Sequence, residues 1–313
     1  MKTIYFVVPC YNEQEVLPET SKRLLAKLES LVEKCKISAD SRIVFVDDGS
    51  RDDTYKIICE LHAQDERFCG IKLSRNRGHQ NALLAGLMTV KDKCDAAISL
   101  DADLQDDIDV IDEFIEKFSE GCDVVYGVRS SRTTDTAFKR TTALAFYKLM
   151  LFLGVEMVYN HADYRLMSSR ALNALSDFKE VNLFLRGIVP LVGFKSATVS
   201  YERHERFAGE SKYPLKKMLA FAVDGITSFS VKPIRMVFSI GVIIFLCSIA
   251  VLIYSLIRWA MGHTVTGWTT LIISIWALGG IQLLSLGLVG EYIGKIYKEV
   301  KARPKFIIDE CLF

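Results

Sequence analysis

Ala96-Ala97-Ile98-Ser99-Leu100-Asp101-Ala102-Asp103-Leu104-Gln105 is the stretch on which the fold turns. A short, apolar run suited to a strand ends abruptly in two carboxylates and an amide. The same pattern occurs three times earlier: Ile4 to Val8 runs into Pro9-Cys10-Tyr11-Asn12-Glu13, Arg42 to Val46 into Asp47-Asp48-Gly49-Ser50, and Gly70 to Leu73 into Ser74-Arg75-Asn76. Asp123 to Tyr126 is a fifth strand candidate, and between the strands Glu15 to Lys34, Asp52 to Ala63, Gly78 to Val90 and Ile108 to Ser119 carry helical periodicity. Strands alternating with helices predict an α/β domain built on a mostly parallel, Rossmann-like sheet.

In such sheets ligands bind beyond the carboxyl ends of the strands, where all four polar clusters fall. Each cluster also has a structural explanation, because Asp, Asn, Ser and Gly end strands and cap helices whatever the function. Their joint occurrence at one edge is what points to a site.

The remainder of the chain differs in composition. Of 313 residues 50% are hydrophobic, and charge disappears over Met236 to Ile257 and Thr264 to Gly290, runs of 22 and 27 residues. About 20 apolar helical residues cross a bilayer core, so these runs predict two transmembrane helices, at about 236–257 and 268–290. Lys216, Lys217, Lys232 and Arg235 precede the first run, and Lys295, Lys298, Lys301, Arg303 and Lys305 follow the second. By the positive-inside rule both termini and the large domain are then cytoplasmic, at an inner membrane. Residues 1–212 form the globular domain in this reading. Residues 213–233 hold an interfacial amphipathic helix on membrane lipids, with packing onto the globular domain as its alternative. Residues 234–290 hold the spans and 291–313 a cytoplasmic tail.

Met1 to Val8 is too short for a signal-peptide core. Eight cysteines lie without metal-ligand spacing and read as reduced thiols, and a net charge of +1 gives no case for a nucleic-acid partner. Gly290 and Gly294 form a small-x-x-x-small pair that fits either a homo-oligomer or packing within one subunit.

Two carboxylates one residue apart at a strand end, Asp101 and Asp103, can face a divalent cation that phosphate oxygens also hold, and Gln105 can add a neutral oxygen. Such a cation neutralises charge building on a departing diphosphate. Asp47 and Asp48 can accept hydrogen bonds from a ribose or base edge, or merely order the turn before Asp52-Asp53-Thr54. Glu13 can bind nucleotide or start the first helix.

As an ordered set these residues resemble glycosyltransferase family 2 of the GT-A fold, and within it the polyprenyl-phosphate branch of bactoprenol glucosyltransferases and dolichyl-phosphate mannose synthases. The resemblance covers nearly the whole chain. It rests on Pro9-x-Tyr11-Asn12-Glu13, Asp47-Asp48-Gly49-Ser50-x-Asp52-x-Thr54, Ser74-Arg75-Asn76-x-Gly78-His79-Gln80, Asp101-Ala102-Asp103-Leu104-Gln105-Asp106, Asp163-Tyr164-Arg165-Leu166, Arg206-x-x-Gly209-x-Ser211-Lys212-Tyr213 and Gly290-Glu291-Tyr292-Ile293-Gly294. Where the family often has prolines after its DADLQ segment, this chain has Asp106-Asp107-Ile108.

The resemblance implies an inverting, metal-dependent hexosyltransferase that moves glucose from UDP-glucose to undecaprenyl phosphate at the cytoplasmic membrane face. GDP-mannose, UDP-GalNAc or an aminoarabinose donor are the alternatives for the sugar. It places Pro9, Tyr11, Asn12, Glu13, Asp47, Asp48 and Arg75 at the nucleoside, and Asp101, Asp103 and Gln105 around Mg2+ or Mn2+. Arg206 and Lys212 are the candidates for the donor's diphosphate. Arg129, Arg132, Lys139 and Arg140 are the candidates for the acceptor phosphate, each with surface solubility as its alternative. Asp163 resembles the acid that the family places near the acceptor, to orient the attacking oxygen or take a proton, and an ion pair with Arg165 is its other role. A processive polysaccharide synthase would need a Gln-x-x-Arg-Trp motif, and Ser255 stands where that Gln would be before Arg258-Trp259. A non-catalytic nucleotide-sugar sensor is the rival from another class.

Overall fold

The computed structural model describes residues 1–129, 161–181, 183–202, 232–261 and 267–313. The chain divides into two compact units, one of residues 1–147, 156–214 and 302–313, the other of residues 148–155 and 215–301.

The first unit opens with β1 (Ile4–Cys10), α1 (Leu17–Glu33), β2 (Arg42–Asp47), α2 (Thr54–Gln64), β3 (Phe68–Leu73), α3 (His79–Val90) and β4 (Ala96–Ser99). A single 3-10 turn, Ile108–Val110, leads into α4 (Ile111–Ser119) and β5 (Val124–Arg129). Then come β6 (His161–Ser168), α5 (Ser169–Ser176), α6 (Leu185–Leu191) and β7 (Ser196–Tyr201), and β8 (Ile308–Leu312) returns to the same sheet. The strand order is β7-β5-β6-β4-β1-β2-β3-β8. β3, β2, β1 and β4 are parallel neighbours, β6 runs antiparallel to both β4 and β5, and β8 runs antiparallel to β3.

The parallel strands are apolar on both faces because helices cover both. Phe6, Val7, Val8, Ile43, Val44, Phe45 and Ile98 are fully buried, each such side chain contributing about 1.5–3 kcal/mol on leaving water. Helix α1 presents Leu17, Leu24, Leu28 and Leu31 to that core, a three-to-four-residue spacing that forms one stripe on a helix. Pro18 sits in its first turn, where a missing N–H costs nothing.

The described residues of the second unit form α7 (Lys232–Ala260) and α8 (Trp268–Lys301). Among the described residues no helix is long and apolar enough to cross a membrane. This corrects the expectation of two transmembrane helices, and with it the inner-membrane placement. That expectation rested on the length and apolar composition of the two runs, counted over all their positions in the sequence. The uncharged runs extend over positions outside the described residues, and α8 carries Glu291, Lys295, Lys298, Glu299 and Lys301 through its last third. The interfacial helix expected at 213–233 lies outside the described residues except for its last two positions, which begin α7.

Candidate active site

Parallel alignment of β1 to β4 brings their carboxyl-terminal loops to one edge of the sheet, and these loops are tied to one another. Asn12, at a positive φ of 52°, receives Arg51 N–H on its Oδ1 at 2.9 Å and donates its own N–H to Ser50 Oγ at 3.0 Å. Glu13 N–H donates to Thr54 Oγ1 at 2.9 Å. The half-buried Tyr11-Asn12-Glu13 turn and the Asp47-to-Thr54 loop therefore act as one piece, with Pro9 buried in β1 beneath them.

Asp47 and Asp48 are both buried. Asp47 receives Ser50 N–H on both oxygens, at 3.2 and 3.3 Å. Asp48 receives the N–H of Arg77 at 2.7 Å and of Gly78 at 2.8 Å. Burial raises both carboxyls above the ordinary aspartate value, against the pull of those hydrogen bonds. Asp48 thus shapes the loop after β3, which exposes Ser74, Arg75 and Asn76. Gly49 allows the two loops to touch: its φ is +65°, and a Cβ there would lie 2.6 Å from Asn76 N. The same loop is held from its other side by Ser74 N–H donating to Ile307 O at 3.0 Å, just before β8.

The segment after β4 is pinned at three points. Thr20 Oγ1 on α1 donates to Ala102 O at 2.7 Å, Tyr201 OH on β7 donates to Asp106 Oδ1 at 2.6 Å, and Tyr164 OH on β6 donates to Asp107 O at 3.0 Å. Between the first two points Leu104 takes a φ of 55°, a conformation uncommon for a bulky side chain and found where surrounding contacts enforce it. Asp101, Asp103 and Gln105 stay partly exposed while Ala102, Leu104 and Asp106 turn inward. Burial, and next the charge of Asp101, push the Asp106 carboxyl up to about 6, with Asp103 adding to the effect. Three acids therefore crowd at one strand end, an arrangement a divalent cation relieves.

Among the described residues no three His, Cys, Asp or Glu side chains form a metal cluster. A magnesium-type ion commonly takes one or two carboxylates and completes its shell with water and substrate phosphate, and Asp101 and Asp103 with Gln105 fit that donor set.

The antiparallel register of β6 supplies the other half of the site. Ser99 pairs with Arg165, so two residues further on Asp163 comes opposite Asp101. Ser99 Oγ, donating to Asp163 O at 2.6 Å, fixes that crossing. The Asp163 carboxylate meets Arg165 Nη2 at 2.5 Å, Arg186 Nη2 at 2.9 Å and Arg186 Nε at 3.3 Å. His79, the first residue of α3, places Nε2 3.4 Å from Asp101 Oδ1 and 4.0 Å from Asp163 Oδ2. Burial alone would raise Asp163, but the charges of Arg186 and Arg165 outweigh it and hold the carboxyl far below the usual range. An acid so stabilised as its anion is a poor proton acceptor. Arg165 is itself buried, and desolvation lowers its affinity for its proton; its Nη2 holds Asp163.

Of the residues expected at the acceptor, Arg129 lies half-buried at the end of β5, with Nε 3.4 Å from Tyr201 OH and Nη2 3.9 Å from Asp106 Oδ1. Arg132, Lys139, Arg140, Arg206 and Lys212 lie outside the described residues. His79, Arg186 and the Tyr201–Asp106 pair belong to the site although the sequence reading assigned them no role. The one available signal for Arg186 was its position as a lone charge in the apolar run Phe184 to Val189.

Carboxylates at the end of β4 face an Asp–Arg cluster on β6 in a mixed, GT-A-like sheet, and the chain belongs to glycosyl transferase family 2, whose model matches residues 5–176. Residues 232–296 match the GtrB C-terminal hairpin. An uncharacterized glycosyltransferase of Bacillus subtilis (strain 168) is 56% identical over 98% of this chain and 91% of its own length. The SfII prophage-derived bactoprenol glucosyl transferase of Shigella flexneri is 41% identical, over 97% of each chain. A prophage bactoprenol glucosyl transferase homolog of Escherichia coli (strain K12) is also 41% identical, over 97% of this chain and 98% of its own.

Proposed function

We propose that this glycosyltransferase moves glucose from UDP-glucose to the phosphate of undecaprenyl phosphate with inversion. The observation that carries the proposal is the meeting of two charge clusters at His79. The Asp101 carboxylate, suited to a cation–diphosphate, and the Asp163–Arg186 pair, suited to an incoming oxyanion, lie 3.4 and 4.0 Å from one imidazole nitrogen. The bactoprenol glucosyl transferase names of relatives aligned along nearly the whole chain support this donor and acceptor.

In the proposed reaction a phosphate oxygen of the acceptor attacks the anomeric carbon. The bond from that carbon to the β-phosphate oxygen of UDP breaks, and UDP leaves with the electron pair. Tyr11, Asn12, Glu13 and Arg75, on loops held by Asp47 and Asp48, bind the nucleoside. Asp101, Asp103 and Gln105 would hold Mg2+ or Mn2+, which when bound neutralises charge on the leaving diphosphate. Arg129, with Arg132, Lys139 and Arg140, receives the acceptor.

A phosphate monoester with a second pKa near ~6 is largely dianionic at neutral pH, so its oxygen needs no strong base. Asp163, held as an anion, fits orientation better than proton abstraction. Positioning and charge stabilisation then supply most of the acceleration. The test is transfer of radiolabel from UDP-glucose to a chloroform-soluble product, with purified protein, undecaprenyl phosphate and magnesium. Labelling that Asp103→Asn abolishes supports the reaction; labelling only from another nucleotide-sugar corrects the donor; no labelling from any donor refutes the proposal.

A further inference from the structure

Residues 302–313 follow α8 in the chain but belong to the first unit, where they meet the sheet along the edge of β3. Lys305 Nζ donates to Phe178 O at 3.1 Å as the segment enters. β8 then pairs antiparallel with β3, Gly70 opposite Leu312 and Ile71 opposite Cys311. Gly70 gives Leu312 a bare backbone to lie on, since a Cβ there would come 3.3 Å from Leu312 Cδ1. Glu310 is held twice, accepting from Tyr55 OH on α2 at 3.1 Å and from Lys72 Nζ at 2.8 Å.

The pairing turns irregular where β3 runs out. Lys72 pairs with Glu310 but Leu73 pairs with Ile308, so Asp309 is an extra residue, a bulge that bends β8. Lys72 Nζ lies 3.6 Å from Asp309 Oδ2 and thus grips the bulge as well as Glu310. Beyond the bulge the hydrogen bonding runs one residue past β3, where Ser74 N–H donates to Ile307 O at 3.0 Å. Ser74 opens the exposed Ser74-Arg75-Asn76 turn, whose far end is tied down by Arg77 N–H and Gly78 N–H donating to Asp48. Arg75 is therefore set between two backbone anchors, and one of them is a carbonyl of the segment that follows α8. Four of the five residues of β8 are exposed, so the strand adds little apolar burial to the core.

We infer that β8 is a positioning strand of the donor site: Ile307 O, acting through the Ser74 amide, fixes the turn that carries Arg75 and so sets the affinity for the nucleotide. This rests on the reading of Arg75 as a nucleotide contact and adds the element that places it. A strand that merely covered the edge of β3 would end its hydrogen bonding at Leu73. Linkage makes the coupling reciprocal: if docked β8 strengthens UDP binding, bound UDP strengthens the docking of β8 by the same factor.

The test titrates UDP into wild type, into Ser74→Ala, which keeps the amide donor, and into Ser74→Pro, which removes it. Hydrogen–deuterium exchange over residues 306–313 is followed in each, with and without saturating UDP. UDP affinity stays within twofold in Ser74→Ala and falls about three- to tenfold in Ser74→Pro, the range of one backbone hydrogen bond. Bound UDP slows exchange over β8 in wild type and in Ser74→Ala but not in Ser74→Pro. A purely structural β8 leaves its exchange indifferent to UDP, and that result overturns the inference, as does equal UDP affinity in the two variants. Should Ser74→Pro fail to fold, the wild-type exchange response decides in the same two directions. Slowed β8 exchange in a wild-type protein that binds UDP but transfers no sugar upholds the inference while refuting the proposed reaction. Transfer by a protein whose β8 ignores UDP refutes the inference alone, and a protein that binds no UDP refutes both.

Discussion

Gly49→Ala is the perturbation whose consequence the geometry specifies most closely. A Cβ at this position would lie 2.6 Å from Asn76 N, 2.7 Å from Arg75 C and 2.9 Å from Arg75 Cα. All three are backbone atoms, so no side chain can swing aside. Ordinary contact begins near 3.4 Å, so the loop after β3 must retreat by about 0.8 Å. That loop carries Arg75, and its amides at Arg77 and Gly78 bind Asp48 at 2.7 and 2.8 Å. The positive φ adds roughly 1–2 kcal/mol for a non-glycine residue, and the clash adds about 1–3 kcal/mol. If about 2 kcal/mol of this is relieved by moving the loop away from its nucleotide-binding position, UDP affinity falls about thirtyfold. Gly78→Ala separates strain from clash: its φ of +87° with ψ 153° is a conformation essentially confined to glycine, costing about 1–3 kcal/mol for another residue, but nothing lies within 4 Å of the added Cβ, so no clash pushes the loop. Urea unfolding and UDP titration of both variants measure the difference. Equal stability and equal UDP affinity in the two variants refute the claim that Gly49 sets the approach of the loops.

Asp163→Asn leaves buried Arg165 without its closest counter-charge, and unfolding by urea at pH 7 shows a loss of about 3–5 kcal/mol. Because the folded-state pKa is depressed, the stabilisation by Asp163 is complete above the unfolded value of about 4 and is lost only as pH falls toward the lower folded value. The deficit of the variant is therefore constant from about pH 5 to 8 and shrinks in stronger acid; a deficit that instead grows on acidification contradicts the ion-pair assignment. Tyr201→Phe removes the 2.6 Å bond to buried Asp106 and lowers stability by about 1–3 kcal/mol, read as a downward shift in Tm. Stripping divalent cations with EDTA abolishes transfer and added Mg2+ or Mn2+ restores it, whereas Asp103→Asn is not restored at the same metal concentration.

The parallel half of the sheet was legible because its signals are local. Ile4 to Val8 and Arg42 to Val46 are apolar runs of strand length followed by turn residues, and the strands run only a little further, to Cys10 and Asp47. Strand β6 escaped notice because His161-Ala162-Asp163-Tyr164-Arg165 has no strand-like alternation of its own; the segment becomes a strand by pairing with β4 on one side and β5 on the other. Strand β8 is short and largely exposed, and the open edge of β3 decides its conformation. That Asp101 and Asp103 sit together, partly exposed, at the end of β4 followed from their spacing. The contacts of Asp163 with Arg186 and His79 did not, since they join residues 23 positions apart in one case and three different elements in all. The two uncharged runs were read over all their positions, whereas among the described residues no helix is long and apolar enough to cross a membrane.

The central claim is that a lipid phosphate displaces UDP from the anomeric carbon of a sugar, and the most direct test identifies both products of one turnover. Purified protein is incubated with UDP-glucose, undecaprenyl phosphate and magnesium; the released nucleotide is resolved by chromatography and the lipid by mass spectrometry. The account predicts UDP together with a hexose joined to undecaprenyl through one phosphate. Release of UMP with a lipid diphosphate sugar would show that the phosphorus, not the anomeric carbon, is attacked, and would contradict it.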